Sequence, residues 1–274
     1  MNSFGPVIGI DRGASFTDFG VVHNNTLSET RSLKGRDWES IADVYRQLMK
    51  NHKAAQSVFT GSRAGMPDRL AKAVQIIPEI DAIGFGGATM AARDDCIVAS
   101  IGTGAAIVHF KDKHATHVGG TGVGGGTIKG LGSLLCNTED PVEIEKLALK
   151  GNAGRMNLTI SDLGYEAVSF LGADVTASNF AAVDSRRKED LAAGILSLVG
   201  ETVGILTSVC AREAGCPQAI VLVGKVAANR YIRKIVNLVA KLYQTTYIFP
   251  ENPGYATVYG AALQFRHHRT QVAT

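Results

Sequence analysis

With 274 residues, 45% of them hydrophobic and 19% charged, the chain is long enough to bury one large core or two lobes. A net charge of +3, dispersed along the sequence, is too weak to argue for nucleic acid, and short runs such as Arg186-Arg187-Lys188 read as solvated surface. The cysteines Cys96, Cys136, Cys210 and Cys216 form no Cys-x-x-Cys pair and have no histidine at ligand spacing beside them, which speaks against structural zinc and disulfides and for a reducing cytoplasm. No leader-like run follows Met1, and no apolar stretch near ~20 residues escapes glycine or charge, so neither a signal peptide nor a membrane span is expected.

In chain order, residues 6–10 read as a buried strand ending at Asp11, with residues 19–23 as its hairpin partner. Residues 38–52 place Trp38, Ile41, Val44, Tyr45 and Leu48 at helical spacing. A strand over 55–60, a short helix over 67–74, a strand at 76–77 and a helix over 82–93 follow. A second half opens near Asp94. Residues 96–101 and 105–110 form a hairpin around Gly102-Thr103-Gly104, with a third strand at 114–118. Helices are expected over 127–135, 141–150, 191–213, 229–243 and 255–265, and buried strands over 219–224 and 245–249. The hairpin theme occurs twice, which suggests duplicated α/β lobes, 1–93 and 94–274, around a cleft.

Residues 118–132 read Val-Gly-Gly-Thr-Gly-Val-Gly-Gly-Gly-Thr-Ile-Lys-Gly-Leu-Gly. Such glycine density costs backbone entropy, and it lets amides converge on a bulky anion. Two other strand ends, Asp11-Arg12-Gly13 and Gly102-Thr103-Gly104, carry the same turn chemistry. Gly122, Gly124, Gly125 and Gly126 therefore read as a phosphate cradle opening a helix.

These motifs resemble the actin-like ATPase and sugar kinase superfamily. Gly9-Ile10-Asp11-Arg12-Gly13-Ala14-Ser15 is similar to its first phosphate motif, Ile101-Gly102-Thr103-Gly104 to its second, and Val221-Leu222-Val223-Gly224 followed by Asn229 to its adenosine motif. Within it, residues 118–126, residues 171–180 and the segment from Glu251 to Ala262 resemble the type II pantothenate kinases. The likeness spans nearly the whole chain. It implies an α/β two-lobe actin-like ATPase fold (ribonuclease H-like) with a central nucleotide cleft, ATP and Mg2+ as cofactors, and a pantothenate-like acceptor on the way to coenzyme A. It also implies a homodimer, for which the apolar helix 191–210 is a candidate surface.

The resemblance departs on the substrate side. Aligned by eye, the family's general-base glutamate falls at Gly84 in Gly84-Phe85-Gly86 and is absent. A serine aligns with Ala106, a substrate-pairing arginine with His117, and the basic residue of the first motif with Asp18. Ser15-Phe16-Thr17-Asp18 looks instead like hydantoinase and oxoprolinase ATPases.

The resulting assignment gives Asp11 the metal and a catalytic role. Asp18 is the best-placed replacement base, ahead of Glu79 and Asp81, which read as solvated loop charges. Gly13, Ser15, Gly102, Thr103, Gly104 and the glycine run would hold phosphates, Gly224 and Lys225 the nucleoside side, and His117, Arg63 and Tyr255 the substrate. Three readings stay open: a small-molecule kinase, whose acceptor would be a carboxylate if no base exists; an ATPase switch acting on a protein partner; and a silent nucleotide-binding relative.

Overall fold

The computed structural model describes residues 5–53 and 55–272. The apolar run after Pro6 forms β1 (Val7–Arg12), antiparallel to β2 (Phe16–His23), which pairs in turn with β3 (Thr26–Lys34). Helix α1 (Trp38–Asn51) starts at Asp37, whose side chain accepts from the Ser40 amide. It leads into β4 (Gln56–Gly61), parallel to β1. Then come α2 (Asp68–Ala71), β5 (Gln75–Ile76) and α3 (Glu79–Ala91).

The second half repeats the scheme. β6 (Asp95–Ile101), β7 (Ala105–Lys111) and β8 (His114–Thr121) form an antiparallel meander. Helices α4 (Gly125–Leu131) and α5 (Pro141–Ala148) follow. Residues 151–187 hold two single-turn 3-10 helices and short ladders, β9 (Leu158–Thr159) with β12 (Thr176–Ser178) and β10 (Ala167–Val168) with β11 (Leu171–Gly172). The chain closes with α6 (Lys188–Glu213), β13 (Ile220–Val223), α7 (Arg230–Tyr243), β14 (Tyr247–Ile248) and α8 (Ala256–Val272).

The sheet orders are β3-β2-β1-β4-β5 and β14-β13-β6-β7-β8. Read from the meander, both run third, second, first, then two parallel strands, so the duplication suggested by the hairpin theme is present in the topology. Each sheet is covered on both faces. In the first, Ile8, Ile10 and Phe59 meet Ile41 and Leu48 of α1, while Val7, Val22 and Val58 meet Ala261 and Phe265 of α8. In the second, Ile97, Ala99 and Ile220 meet α6 and α7, and Cys96, Val98 and Val221 meet Ile83, Phe85 and Ala88 of α3. The division expected after residue 93 falls just past α3. That helix packs on the second sheet and on α8, and α8 packs on the first.

Helix α6 is long and apolar enough to cross a membrane by length and composition, but it buries Leu191, Ile195, Val199 and Val203 in the core. Three expectations shift. Strand β3 was not expected; its polar composition and alternate exposure are those of an edge strand, which carries little apolar signal. Strand β8 runs on through Gly119, Gly120 and Thr121, so the first part of the glycine run is sheet. Helix α3 begins three residues earlier than expected, at Glu79.

Candidate functional site

Strand β1 delivers Asp11 to the end of the first sheet, opposite Asp18 of β2 and Thr60 of β4 in the ladder register. Asp11 Oδ1 and Thr60 Oγ1 are both sealed from solvent without a hydrogen-bond partner among the described residues. Orphaned buried oxygens at adjoining positions are costly unless something polar joins them. Burial, then the nearby Glu79 and Asp18 carboxylates, push the Asp11 carboxyl up to about 7, with Lys225 pulling the other way. Arg12, next in the strand, is not a site residue. Its guanidinium donates to the carbonyls of Arg36, Ser62 and Ala64 and lies 4.1 Å from the Trp38 ring centre, fixing the loops behind the site.

The glycine turns after β1 and β6 meet across the cleft. Ser15 and Thr103 share a hydroxyl–hydroxyl hydrogen bond of 3.1 Å. The glycine run has a different job from the one its composition suggests. The Gly125 and Gly126 amides donate to the carbonyls of Gly102 and Thr103 at 2.8 Å, and the Gly124 amide donates to Thr127 Oγ1. A Cβ at Gly124 or Gly125 would stand 2.7 Å from the carbonyl oxygen of Gly104 or Gly102. These glycines let one backbone lie directly on another and hold the Gly102-Thr103-Gly104 turn. The amides of Gly124, Gly125 and Gly126 are thus taken, which corrects their assignment as phosphate donors; Gly122 keeps open space around its Cα.

Lys225 reaches from the second lobe into the first. Its Nζ donates to Asp18 Oδ1 at 2.7 Å and to Ser32 Oγ at 2.8 Å. It also lies 4.6 Å from the Phe16 ring centre and 5.5 Å from that of Tyr255. The turn that launches it needs glycine. Gly224 has φ +88°, and a Cβ there would meet the Ile101 carbonyl oxygen at 2.4 Å. Asn229 of the same motif caps α7, accepting from the Ile232 amide. Asp18 is buried and bound to an ammonium, so its expected place as a base facing an acceptor is corrected: it holds Lys225.

Glu79 stands in the first turn of α3, exposed, and near enough to Asp11 to be the leading charge acting on it. The solvated loop charge expected there is a helix-terminal carboxylate beside the cleft. Gly84 lies more than a turn further on and faces away. A Cβ there would stand 2.7 Å from Ala115 Cβ and 3.1 Å from Phe110, inside the α3–second sheet packing. A glutamate could not work from that position, so its absence there removes nothing from the cleft. Glu79 stands in Pro78-Glu79-Ile80-Asp81, a glutamate following a proline and preceding an apolar residue and an aspartate.

Tyr255 joins the site through Lys225. His117 is exposed on β8, the edge strand of the second sheet. Arg63 is exposed in the turn after β4 and has no ion pair among the described residues. Among the described residues no hydrogen bond or ion pair brings either of them to Asp11 or Lys225.

The family described as Fumble matches residues 82–264, more than half of the chain. The chain belongs to the Fumble family. Curated relatives of this Fumble-family chain include the type II pantothenate kinase of Oceanobacillus iheyensis, 26% identical over 93% of this chain and 98% of the relative. That of Bacillus anthracis is 27% identical over 93% and 96%. Among solved structures, component A of the Acidaminococcus fermentans (R)-2-hydroxyglutaryl-CoA dehydratase superposes with TM-score 0.69, 16% identity, and coverage of 95% and 97%. The ADPNP-bound activator of the Clostridium difficile 2-hydroxyisocaproyl-CoA dehydratase gives 0.65, 18%, and 98% of both chains. A ROK family glucokinase from Streptomyces griseus, in complex with glucose and AMPPNP, gives 0.62, 13%, and 96% and 100%. The fold is that of the actin-like ATPases and sugar kinases.

Proposed function

We propose that this chain transfers a phosphoryl group from MgATP to a small hydroxyl-bearing acceptor, pantothenate or a pantothenate-like molecule. The observation that carries the reading is Asp11, half-buried and with one carboxylate oxygen sealed and partnerless among the described residues, under the charge of the nearby Glu79. The relatives' pantothenate kinase names support it.

A hydrated Mg2+ fits the orphaned oxygens of Asp11 and Thr60, since this ion prefers carboxylate oxygen and retains water. When bound, it neutralises charge on the nucleotide phosphates. The chain's own groups do the rest. The Ser15 and Thr103 hydroxyls, now bonded to each other, part to grip phosphate oxygens from both lobes. Lys225 supplies an ammonium, aimed by Asp18. Glu79 accepts the proton of the acceptor hydroxyl, and positioning with electrostatics accounts for most of the barrier reduction. With Glu79 in that role an already ionised acceptor is not needed.

A homodimer belongs to the same reading. On α6, Ile205, Leu206 and Val209 share a face and remain 39%, 36% and 50% exposed. Val209→Asp is expected to shift a dimer to monomer in light scattering; an unchanged mass would remove α6 from the interface.

The deciding experiment is ADP release from MgATP with and without pantothenate. Stimulation is expected, and Glu79→Gln should lower kcat at least about 100-fold while leaving the affinity for an ATP analogue within about twofold. Release that ignores pantothenate would displace this reading in favour of another acceptor or an ATPase switch.

A further inference from the structure

The second lobe carries, away from the cleft, a polar cluster that phosphoryl transfer does not use. Asp95 opens β6, His109 lies on the neighbouring β7 opposite Ile97, and Cys216 sits in the turn between α6 and β13. The topology forces this meeting. Strand β13 runs parallel to β6 with Ile220 opposite Ile97, so the turn before β13 must lie at the end of the sheet where β6 begins. His109 Nε2 is 2.9 Å from Asp95 Oδ1, and Lys111 Nζ donates to the other oxygen, Oδ2, at 2.7 Å. One ligand atom each from Asp95, His109 and Cys216 lie within 4.8 Å of one another.

We propose that Asp95 Oδ1, His109 Nε2 and Cys216 Sγ form a three-ligand site for Zn2+. The donor set selects the ion. A carboxylate oxygen, an imidazole nitrogen and a thiolate suit zinc, whereas Mg2+ and Ca2+ call for oxygen alone. Tetrahedral zinc at its usual bond lengths places its donors about 3.5 Å apart. The oxygen and nitrogen therefore separate by roughly half an ångström, and the sulfur closes by about 1.3 Å at most. On binding, the Cys216 S–H bond is exchanged for an S–Zn bond and the proton leaves to solvent. The neutral imidazole presents Nε2 to the metal and keeps its proton on Nδ1. Carboxylate and thiolate then balance the ion's two charges, with Lys111 still on the outer carboxylate oxygen, where it orients the ligand. The Asp95 and His109 side chains are 39% and 20% exposed, so water completes the coordination.

The site lies away from the cleft, so its effect is on the fold rather than on the reaction. Asp95 and the Gly102 turn lie at opposite ends of β6, about 20 Å apart at strand rise. A metal there pins the α6–β13 turn to the far end of the strand that carries the second phosphate turn. The assignment is independent of the kinase reading. It also answers why cysteine spacing spoke against zinc: the ligands come from three separate elements and have no local pattern.

The test is titration of the metal-stripped full chain with Co2+, followed by Zn2+. One equivalent of Co2+ is expected to raise thiolate-to-cobalt charge-transfer absorption, and Zn2+ to abolish it. Cys216→Ser should eliminate the band, and Cys210→Ser should keep it. His109→Ala, which leaves the thiol in place, should weaken Co2+ binding at least about tenfold. Circular dichroism checks that each variant is folded; if Cys216→Ser is not, the His109→Ala affinity decides. No band in the folded native chain, a band that survives Cys216→Ser, or unchanged affinity in His109→Ala overturns the site.

Discussion

Asp11 holds one oxygen away from water without a partner, and burial followed by Glu79 and Asp18 raises its carboxyl from 3.8 to about 7. The folded state therefore keeps a proton that the unfolded chain releases near pH 4. Between about pH 4 and 7 the folded form binds more protons than the unfolded form, so stability falls as pH rises and levels off above about 7. The cost at pH 8 is on the order of a few kcal/mol. Asp11→Asn, which cannot ionise, is expected to melt higher than the native chain in metal-free buffer at about pH 8 and to lose ADP release. The gap in melting temperature should shrink toward about pH 5. Equal pH dependence in both proteins would mean that Asp11 is not strained by its surroundings. The strand end at Asp11 was legible in the sequence because the apolar run stops there at a charged residue and a glycine. Glu79 has the look of a loop charge in sequence, because its neighbours carry no apolar periodicity to mark the start of α3.

Helices α3 and α8 are the elements common to both lobes, and their contact is backbone on backbone. A Cβ at Gly86 would stand 1.9 Å from the Ala256 carbonyl oxygen, and one at Gly260 would stand 1.9 Å from that of Ala82. Neither position can be relieved by a side-chain rotation, so the helices would have to separate. Gly86→Ala is expected to lower the unfolding free energy in urea by at least about 2 kcal/mol. Gly130→Ala, in α4 with nothing within 4 Å of the added methyl, should be neutral or slightly stabilising. Similar losses for both would mean that helix contact is not what Gly86 serves. The same distinction explains the run at 118–126. Glycine in sequence signals that something comes close, and composition cannot say whether that is a phosphate or a second strand of the same protein. The apolar strands and amphipathic helices were legible because their partners are generic hydrophobic faces. Edge strand β3 and the ladders of 151–187 were not, because they follow from pairing with neighbours distant in sequence rather than from their own pattern.

The lobes touch at the back through α3 and α8 and at the mouth through Lys225–Asp18 and Ser15–Thr103. Lys225 and Asp18 are 207 residues apart, so no local motif announces them. The sequence shows only an aspartate where the resemblance expects a basic residue, and the missing cation arrives from the other lobe. With Lys225 removed, Asp18 is an unpaired buried carboxylate opposite Asp11 in the β1–β2 ladder. Lys225→Met should therefore weaken binding of an ATP analogue with Mg2+ at least about tenfold and lower the melting temperature. The exchanged pair Asp18→Lys with Lys225→Asp restores opposite charges across the same gap. It is expected to recover most of the lost stability, with a coupling of at least about 1 kcal/mol in a double-mutant cycle. Activity distinguishes two uses of the bridge. In the native chain the second lobe carries the ammonium to the first; in the exchanged pair the ammonium belongs to the first lobe itself. Recovery of stability without ADP release would tie the reaction to closure, since the charge would be present but no longer timed by the second lobe. Recovery of both would make the bridge a fastening between lobes. Recovery of neither would show that the Phe16, Tyr255 and Ser32 surroundings of Lys225, rather than its charge pairing, set its role.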